Sequence, residues 1–250
     1  MVLGLFSWHY PLSMTKSSDR SDTHIPKTKD LRPKAKDQSI AGILLAAGRS
    51  VRMGAFKPLL PFGKQTVVEA CVDYLHAGGI ETIVVVLGHN ADQVRARLKD
   101  TSVHFALNPD PSSEMAESIR CGLEVLPLNT DATLIALVDH PAVPSQVVKT
   151  LIDEWRQGAQ LIIPTWQDRG GHPVLVDLGW RDELKQLDPN GGLKSFFQRH
   201  SYAVRRVPGG SQYVARDMDT WDDYTRLHLD VFGQAPPDRD SSNESPFRTI

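Results

Sequence analysis

Apolar positions along the chain fall into two alternating patterns. Residues 40–46, Ile-Ala-Gly-Ile-Leu-Leu-Ala, form a short apolar run beside a glycine-bearing loop, which predicts a buried strand. Positions 67, 68, 71, 72 and 75 are apolar at helical spacing, so 66–77 is expected to be a helix stopped by Gly78-Gly79. Residues 82–87, Thr-Ile-Val-Val-Val-Leu, are the clearest strand. A helix over 90–99 with Asn90 as its N-cap follows, then a strand over 102–107 and a helix over 114–124. Residues 132–138 predict another buried strand, 145–156 a helix and 160–164 a strand. Beyond 165 the pattern is less regular, until Thr220 caps an amphipathic helix whose first turn carries Asp222 and Asp223.

Strands alternating with helices imply an α/β fold: a single doubly wound, mostly parallel sheet covered on both faces. Ligands of such sheets lie beyond the carboxyl ends of the strands, so the loops after 46, 87, 107 and 138 are the places to look for chemistry.

Composition narrows the picture. The chain has 250 residues, 40% of them hydrophobic and 23% charged, as in an ordinary globular protein. Lys plus Arg is 28 and Asp plus Glu is 30, so the formal charge is 28 − 30 = −2, which argues against a nucleic-acid partner. No apolar run approaches the ~18 residues of a membrane span, so no membrane partner is expected. Two cysteines, Cys71 and Cys121, cannot build a disulfide framework; they point to a reducing, cytoplasmic setting and sit at apolar helix positions. The first residues make a poor signal peptide. Residues 1–38 and 232–250 are polar and proline-bearing and are expected to be disordered extensions of a domain at 39–231.

The loop after the first strand is rich in small and cationic residues. Ala46-Ala47-Gly48 lets a ligand approach the backbone, whose N–H groups can bind phosphate oxygens. Arg49, Arg52 and Lys57 add three cations, suited to a triphosphate. Gly48 and Gly54 do not form a three-glycine dinucleotide fingerprint, and no Ser or Thr follows Lys57 as in a Walker loop, which disfavours a nicotinamide oxidoreductase. The stretch Leu-Ala-Ala-Gly-x-Ser-x-Arg-Met-Gly-x-x-Lys, followed by Leu59-Leu60-Pro61-Phe62-Gly63, resembles the signature loop of the MobA-like nucleotidyltransferases. Within them it is closest to the molybdenum cofactor cytidylyltransferases, and the resemblance covers about residues 40–230.

The resemblance implies a Rossmann-like fold of the nucleotide-diphospho-sugar transferase type. It implies that Leu45, Ala46, Ala47, Gly48, Arg49, Ser50, Arg52, Lys57 and Ser118 bind the nucleotide, with Lys57, Arg52 and Asp139 catalytic. The Ala46-Ala47 pair resembles the cytidine-using branch, which makes CTP the expected donor. Asp139, in Val138-Asp139-His140-Pro141, matches the metal-binding Asp of the family's Gly-Asp-x-Pro, with Val138 in place of Gly. Unaided, Asp139 reads equally as a turn residue before the next helix, and His140 as a solvated loop histidine. Asp217, in Arg216-Asp217-Met218-Asp219, matches the second metal ligand, with Asp219 supporting. Asp139 and Asp217 would then share one Mg²⁺.

Residues 108–122 resemble the base-recognition stretch: Met115, Ser118 and Gly122 match, whereas Glu114 and Glu117 replace smaller residues and open the question of which base is bound. Gly170-Gly171-His172-Pro173-Val174 resembles an acceptor-side segment in which Gly171 permits close backbone approach. His172, Lys194 and Asp219 are the expected acceptor-side residues. The implied reaction is Mg²⁺-dependent transfer of a nucleoside monophosphate to a phosphorylated acceptor, molybdopterin, releasing pyrophosphate. A molybdoenzyme or insertion chaperone would be the protein partner. Alternatives on the same fold are a sugar-phosphate or other small-molecule nucleotidyltransferase, or a non-catalytic nucleotide- or cofactor-binding chaperone.

Overall fold

The computed structural model describes residues 39–50, 52–110 and 114–237. The extension expected at 1–38 and most of the tail lie outside them.

Eight strands share one sheet. In chain order the elements are β1 (Ser39–Leu45), β2 (Pro61–Phe62), β3 (Gln65–Thr66), α1 (Val67–Ala77), β4 (Thr82–Leu87), α2 (Ala91–Arg97), β5 (His104–Leu107), α3 (Met115–Val125), β6 (Thr130–Leu137) and α4 (Ser145–Arg156). Then come β7 (Leu161–Trp166), β8 (Arg169–Gly170), β9 (Val174–Asp177), α5 (Arg181–Lys185), α6 (Gly192–Arg199), β10 (Val204–Pro208) and α7 (Trp221–Phe232). The sheet order is β10-β7-β9-β6-β1-β4-β5, with β8 paired to β7; β2 and β3 form a separate hairpin.

β1 lies between β4 and β6, parallel to both. Alternation along it explains the two-sided burial. Leu44 faces a core with Val85, Leu134, Val148, Trp155 and Tyr224, beneath α1, α4 and α7. Ile43 and Leu45 face the other core, with Val84, Ile119, Phe196 and Phe197 beneath α3, α5 and α6. These are the two covered faces expected of a doubly wound sheet. Gly122 brings α3 close to β1: a Cβ there would lie 2.7 Å from Ile43 Cγ2.

One expectation is corrected. Asn90 precedes α2, but it is left-handed (φ 60°) and its side chain makes no capping bond. The region after 165 supplies an antiparallel strand, β9, which pairs with β6 on one side and β7 on the other. Four residues are too few for periodicity to reveal it. Elsewhere the capping signals hold: Thr220 Oγ1 accepts from the Asp223 N–H at 3.2 Å, and Asp223 Oδ2 accepts from the Thr220 N–H at 3.0 Å.

Candidate active site

The loop after β1 is shaped by Ser50. Its backbone is left-handed (φ 51°), its carbonyl accepts from the N–H groups of Met53 (3.1 Å) and Gly54 (3.2 Å), and its Oγ accepts from the Lys57 N–H (3.2 Å). Met53 plugs the loop into the core, 1% exposed, while Arg52 on the same turn projects outward. The chain then turns inward, and Lys57 enters the site with its side chain 9% exposed.

A cavity of about 400 Å³ opens at the carboxyl ends of β1, β5 and β6. Leu45, Ala47, Gly48, Arg49, Ser50, Arg52, Lys57, Ser118, Asp139 and Asp219 line it, all named in advance from the sequence. Asn108, Asp110 and Met115 complete one wall. Asn108 Nδ2 donates to Ser118 Oγ at 2.9 Å, and Asn108 Oδ1 accepts from the Asp110 N–H at 3.1 Å. Asn108 and Asp110 were missed as individual site residues, although their place at the end of β5 is the signal that finds them.

Opposite the cations stand the acids. The Met218 N–H donates to the Asp139 carbonyl at 3.1 Å, joining the loop after β6 to the segment before α7. Met218 is fully buried, and Asp217 and Asp219 flank it. Asp219 binds Lys57 Nζ through Oδ1 at 3.1 Å and Arg52 Nη2 through Oδ2 at 2.7 Å. Asp139 Oδ2 lies 3.7 Å from Lys57 Nζ, and its Oδ1 lies 2.8 Å from His140 Nδ1.

Burial by itself would raise the Asp139 carboxyl. The hydrogen bond from His140 and the electrostatic influence of His140, Lys57 and His172 outweigh it and hold this group well below the usual carboxylate range. Asp217 moves the other way: burial, then the neighbouring charges of Asp219 and Asp139, raise it. His172 is pushed down to about 4, first by burial and then by His140.

Several expected residues lie elsewhere. Ala46 is buried in the core, its N–H bonded to the Val86 carbonyl at 2.9 Å, so its side chain does not line the cavity. Asp217 is outside the cavity lining, beside the charges of Asp219 and Asp139. Lys194 is exposed on the first turn of α6, away from the lining. His172 packs against His140, ring centroids 5.5 Å apart, rather than facing the cavity. His140 itself is 6% exposed, not the solvated loop histidine its position suggests. Gly171 does permit a close approach, but the neighbour is the backbone of Val214: a Cβ would lie 1.9 Å from its carbonyl oxygen. Glu114 and Glu117 do not line the cavity; Glu117 pairs with Arg120 on the outer side of α3.

The donor set suits a hard divalent cation. Asp217 carries a charge made costly by burial and then by Asp219 and Asp139, and a cation between these acids would relieve it. Among the described residues no three His, Cys, Asp or Glu are placed to hold a metal unaided, so phosphate oxygens and water would have to complete the shell, as Mg²⁺ prefers.

Residues 42–204 match the family model of the MobA-like NTP transferase domain. The chain belongs to the MobA-like NTP transferase family. Within this nucleotidyltransferase family it is similar to nicotine blue oxidoreductase of Paenarthrobacter nicotinovorans, 30% identical over 197 residues, spanning 75% of this chain and 96% of that protein. Its fold is similar to that of Rv0371c from Mycobacterium tuberculosis H37Rv, with a TM-score of 0.67 and 28% identity over 76% of this chain and 98% of that one. A second structure of Rv0371c is a complex with manganese (TM-score 0.64, 26% identity, 76% of this chain and 97% of that one).

Proposed function

We propose that the protein is a metal-dependent nucleotidyltransferase that joins a nucleoside monophosphate from an NTP to a phosphorylated small molecule and releases pyrophosphate. One observation carries this reading: Lys57, Arg52, Asp139 and Asp219 converge on one cavity whose wall is the loop Ala47–Ser50. Two cations beside backbone N–H groups suit a triphosphate, and acids beside the same cations suit the metal that accompanies it.

In the proposed reaction an acceptor phosphate oxygen attacks the α-phosphorus in line. A new P–O bond forms, the bond to the β-phosphate oxygen breaks, and pyrophosphate carries away the electron pair. Lys57, deep in the cavity, neutralises charge at the α-phosphate, and Arg52 at the rim holds the leaving pyrophosphate. A divalent ion, Mg²⁺ in this reading, would supply further charge neutralisation, with Asp139 and Asp217 as its protein ligands. A phosphomonoester is already nucleophilic at neutral pH, so no general base is required.

CTP is the proposed donor, supported by the likeness of Ala46-Ala47 to the cytidine-using branch, and molybdopterin the proposed acceptor on the same likeness. A molybdoenzyme or insertion chaperone would receive the product. No helix among the described residues is long and apolar enough to cross a membrane, and the two free cysteines suit the proposed cytoplasmic setting.

A second reading, oxidoreduction of a small molecule, is favoured by the identity with nicotine blue oxidoreductase. One set of assays separates the readings: pyrophosphate release with Mg²⁺ and CTP, GTP, ATP or UTP, in the presence of molybdopterin, a sugar phosphate or no acceptor, beside oxidation of reduced nicotinamide by a dye. Release with CTP and molybdopterin is expected. Release only with a sugar phosphate would keep the chemistry and change the acceptor. Nucleotide binding without pyrophosphate would favour a binding protein, and dye reduction alone the oxidoreductase.

A further inference from the structure

Asp139 is held from three directions. Its carbonyl accepts from the Met218 N–H at 3.1 Å, its Oδ1 lies 2.8 Å from His140 Nδ1, and its Oδ2 faces Lys57 Nζ at 3.7 Å. A carboxylate oxygen can only accept, so in this 2.8 Å contact Nδ1 carries the proton.

The His140 ring is itself fixed. It is 6% exposed and packs against the His172 ring at an interplanar angle of 60°, and the backbone N–H of the same residue donates to the Leu137 carbonyl at 3.2 Å. The backbone of His172 is pinned in turn, its amide N–H donating to the Val214 carbonyl at 2.8 Å, beside Gly171, which has no room for a side chain. A carboxylate with both oxygens free turns about its Cβ–Cγ bond and offers either oxygen, or both, to a cation. With Oδ1 tied to a buried N–H, Oδ2 is the oxygen left facing the cavity.

We infer that His140 is a positioning residue: its Nδ1–H holds Oδ1 of Asp139 and so presents Oδ2 alone to the metal that accompanies the triphosphate. This rests on the reading of Asp139 as a metal ligand. One-oxygen ligation leaves room in an octahedral shell for phosphate and water, and outer hydrogen bonds of this kind tune metal affinity. If His140 merely filled space between the loops, any side chain of similar size would serve.

The test is Mn²⁺ binding to the full chain in the presence of CTP, followed by electron paramagnetic resonance without any acceptor, so no turnover is needed. His140→Asn places an amide N–H near the position of Nδ1, His140→Gln places it near Nε2, and His140→Leu has none. Mn²⁺ affinity is expected to fall about tenfold or more in His140→Leu and His140→Gln and to stay within about threefold of wild type in His140→Asn. CTP affinity in EDTA is expected to be unchanged in all three. Equal affinity in wild type and His140→Gln, or an equal loss in His140→Asn and His140→Gln, would overturn the inference, and this pair decides it even if His140→Leu does not fold. A wild-type protein that binds CTP but no Mn²⁺ would instead overturn the metal reading of Asp139, and the inference with it.

Discussion

Lys57 Nζ and Asp219 Oδ1 lie 3.1 Å apart across 162 residues of chain, and this pair closes the cavity between the loop after β1 and the approach to α7. Asp219 also holds Arg52, so a single carboxylate orients both cations assigned to the phosphates. Lys57→Met is expected to lower kcat/KM for pyrophosphate release by about 10²–10³-fold, the usual loss for one donor to a developing charge. Turnover close to wild type would remove Lys57 from the mechanism.

Asp217 and Asp219 should respond oppositely to the same substitution. Asp219→Asn leaves the buried Lys57 ammonium with Asp139 alone, at 3.7 Å, and should destabilise the protein by about 1–3 kcal/mol. Asp217→Asn removes a charge that burial, Asp219 and Asp139 disfavour, and should leave stability equal or higher while weakening Mn²⁺ binding. Denaturant melts in EDTA, beside Mn²⁺ titrations of the same proteins, check both signs.

Acid stability carries the mark of His172. Its pKa falls from 6.5 in the unfolded chain to about 4 in the fold, so between these values the unfolded state binds more protons. Stability therefore falls as pH drops through that window, by at most about 3–4 kcal/mol at ~1.36 kcal/mol per unit. Urea melts in EDTA at about pH 4.5 and about pH 7 should show the difference, and His172→Phe should shrink it. An undiminished difference in that variant would assign the slope to other groups.

Gly171→Ala should be costly although the φ of this residue is not left-handed. The added Cβ would lie 1.9 Å from the Val214 carbonyl oxygen, so the backbone on one side must move. A loss of about 1–3 kcal/mol is expected, with roughly 2–4 °C off Tm for each kcal/mol. An unchanged melting temperature would show that the β8–β9 connection yields freely.

Most of the architecture was legible because it follows from local periodicity. The alternation of Ile43, Leu44 and Leu45 between two cores, the helical spacing of Val67, Val68, Cys71, Val72 and Leu75, and the Thr220–Asp223 cap are short-range patterns written within a few residues. The antiparallel β9 was not legible, since its partners are chosen by the far side of the sheet. Nor was the left-handed Asn90, whose residue type fits a cap and a turn alike.

The sequence by itself determined the alternation of strands and helices, the loops where chemistry belongs, and the cations and acids available there. Tertiary structure decided which of them meet. It buried Ala46 and His140, turned Glu117 toward Arg120, and set Asp219 rather than Asp217 against Lys57 and Arg52. The physical reason is that side-chain direction at a loop depends on contacts distant in the chain, such as the Met218–Asp139 backbone bond and the fully buried Met218 side chain. Residue type and spacing carry the chemistry of a group, and packing from remote segments fixes its neighbours and its charge.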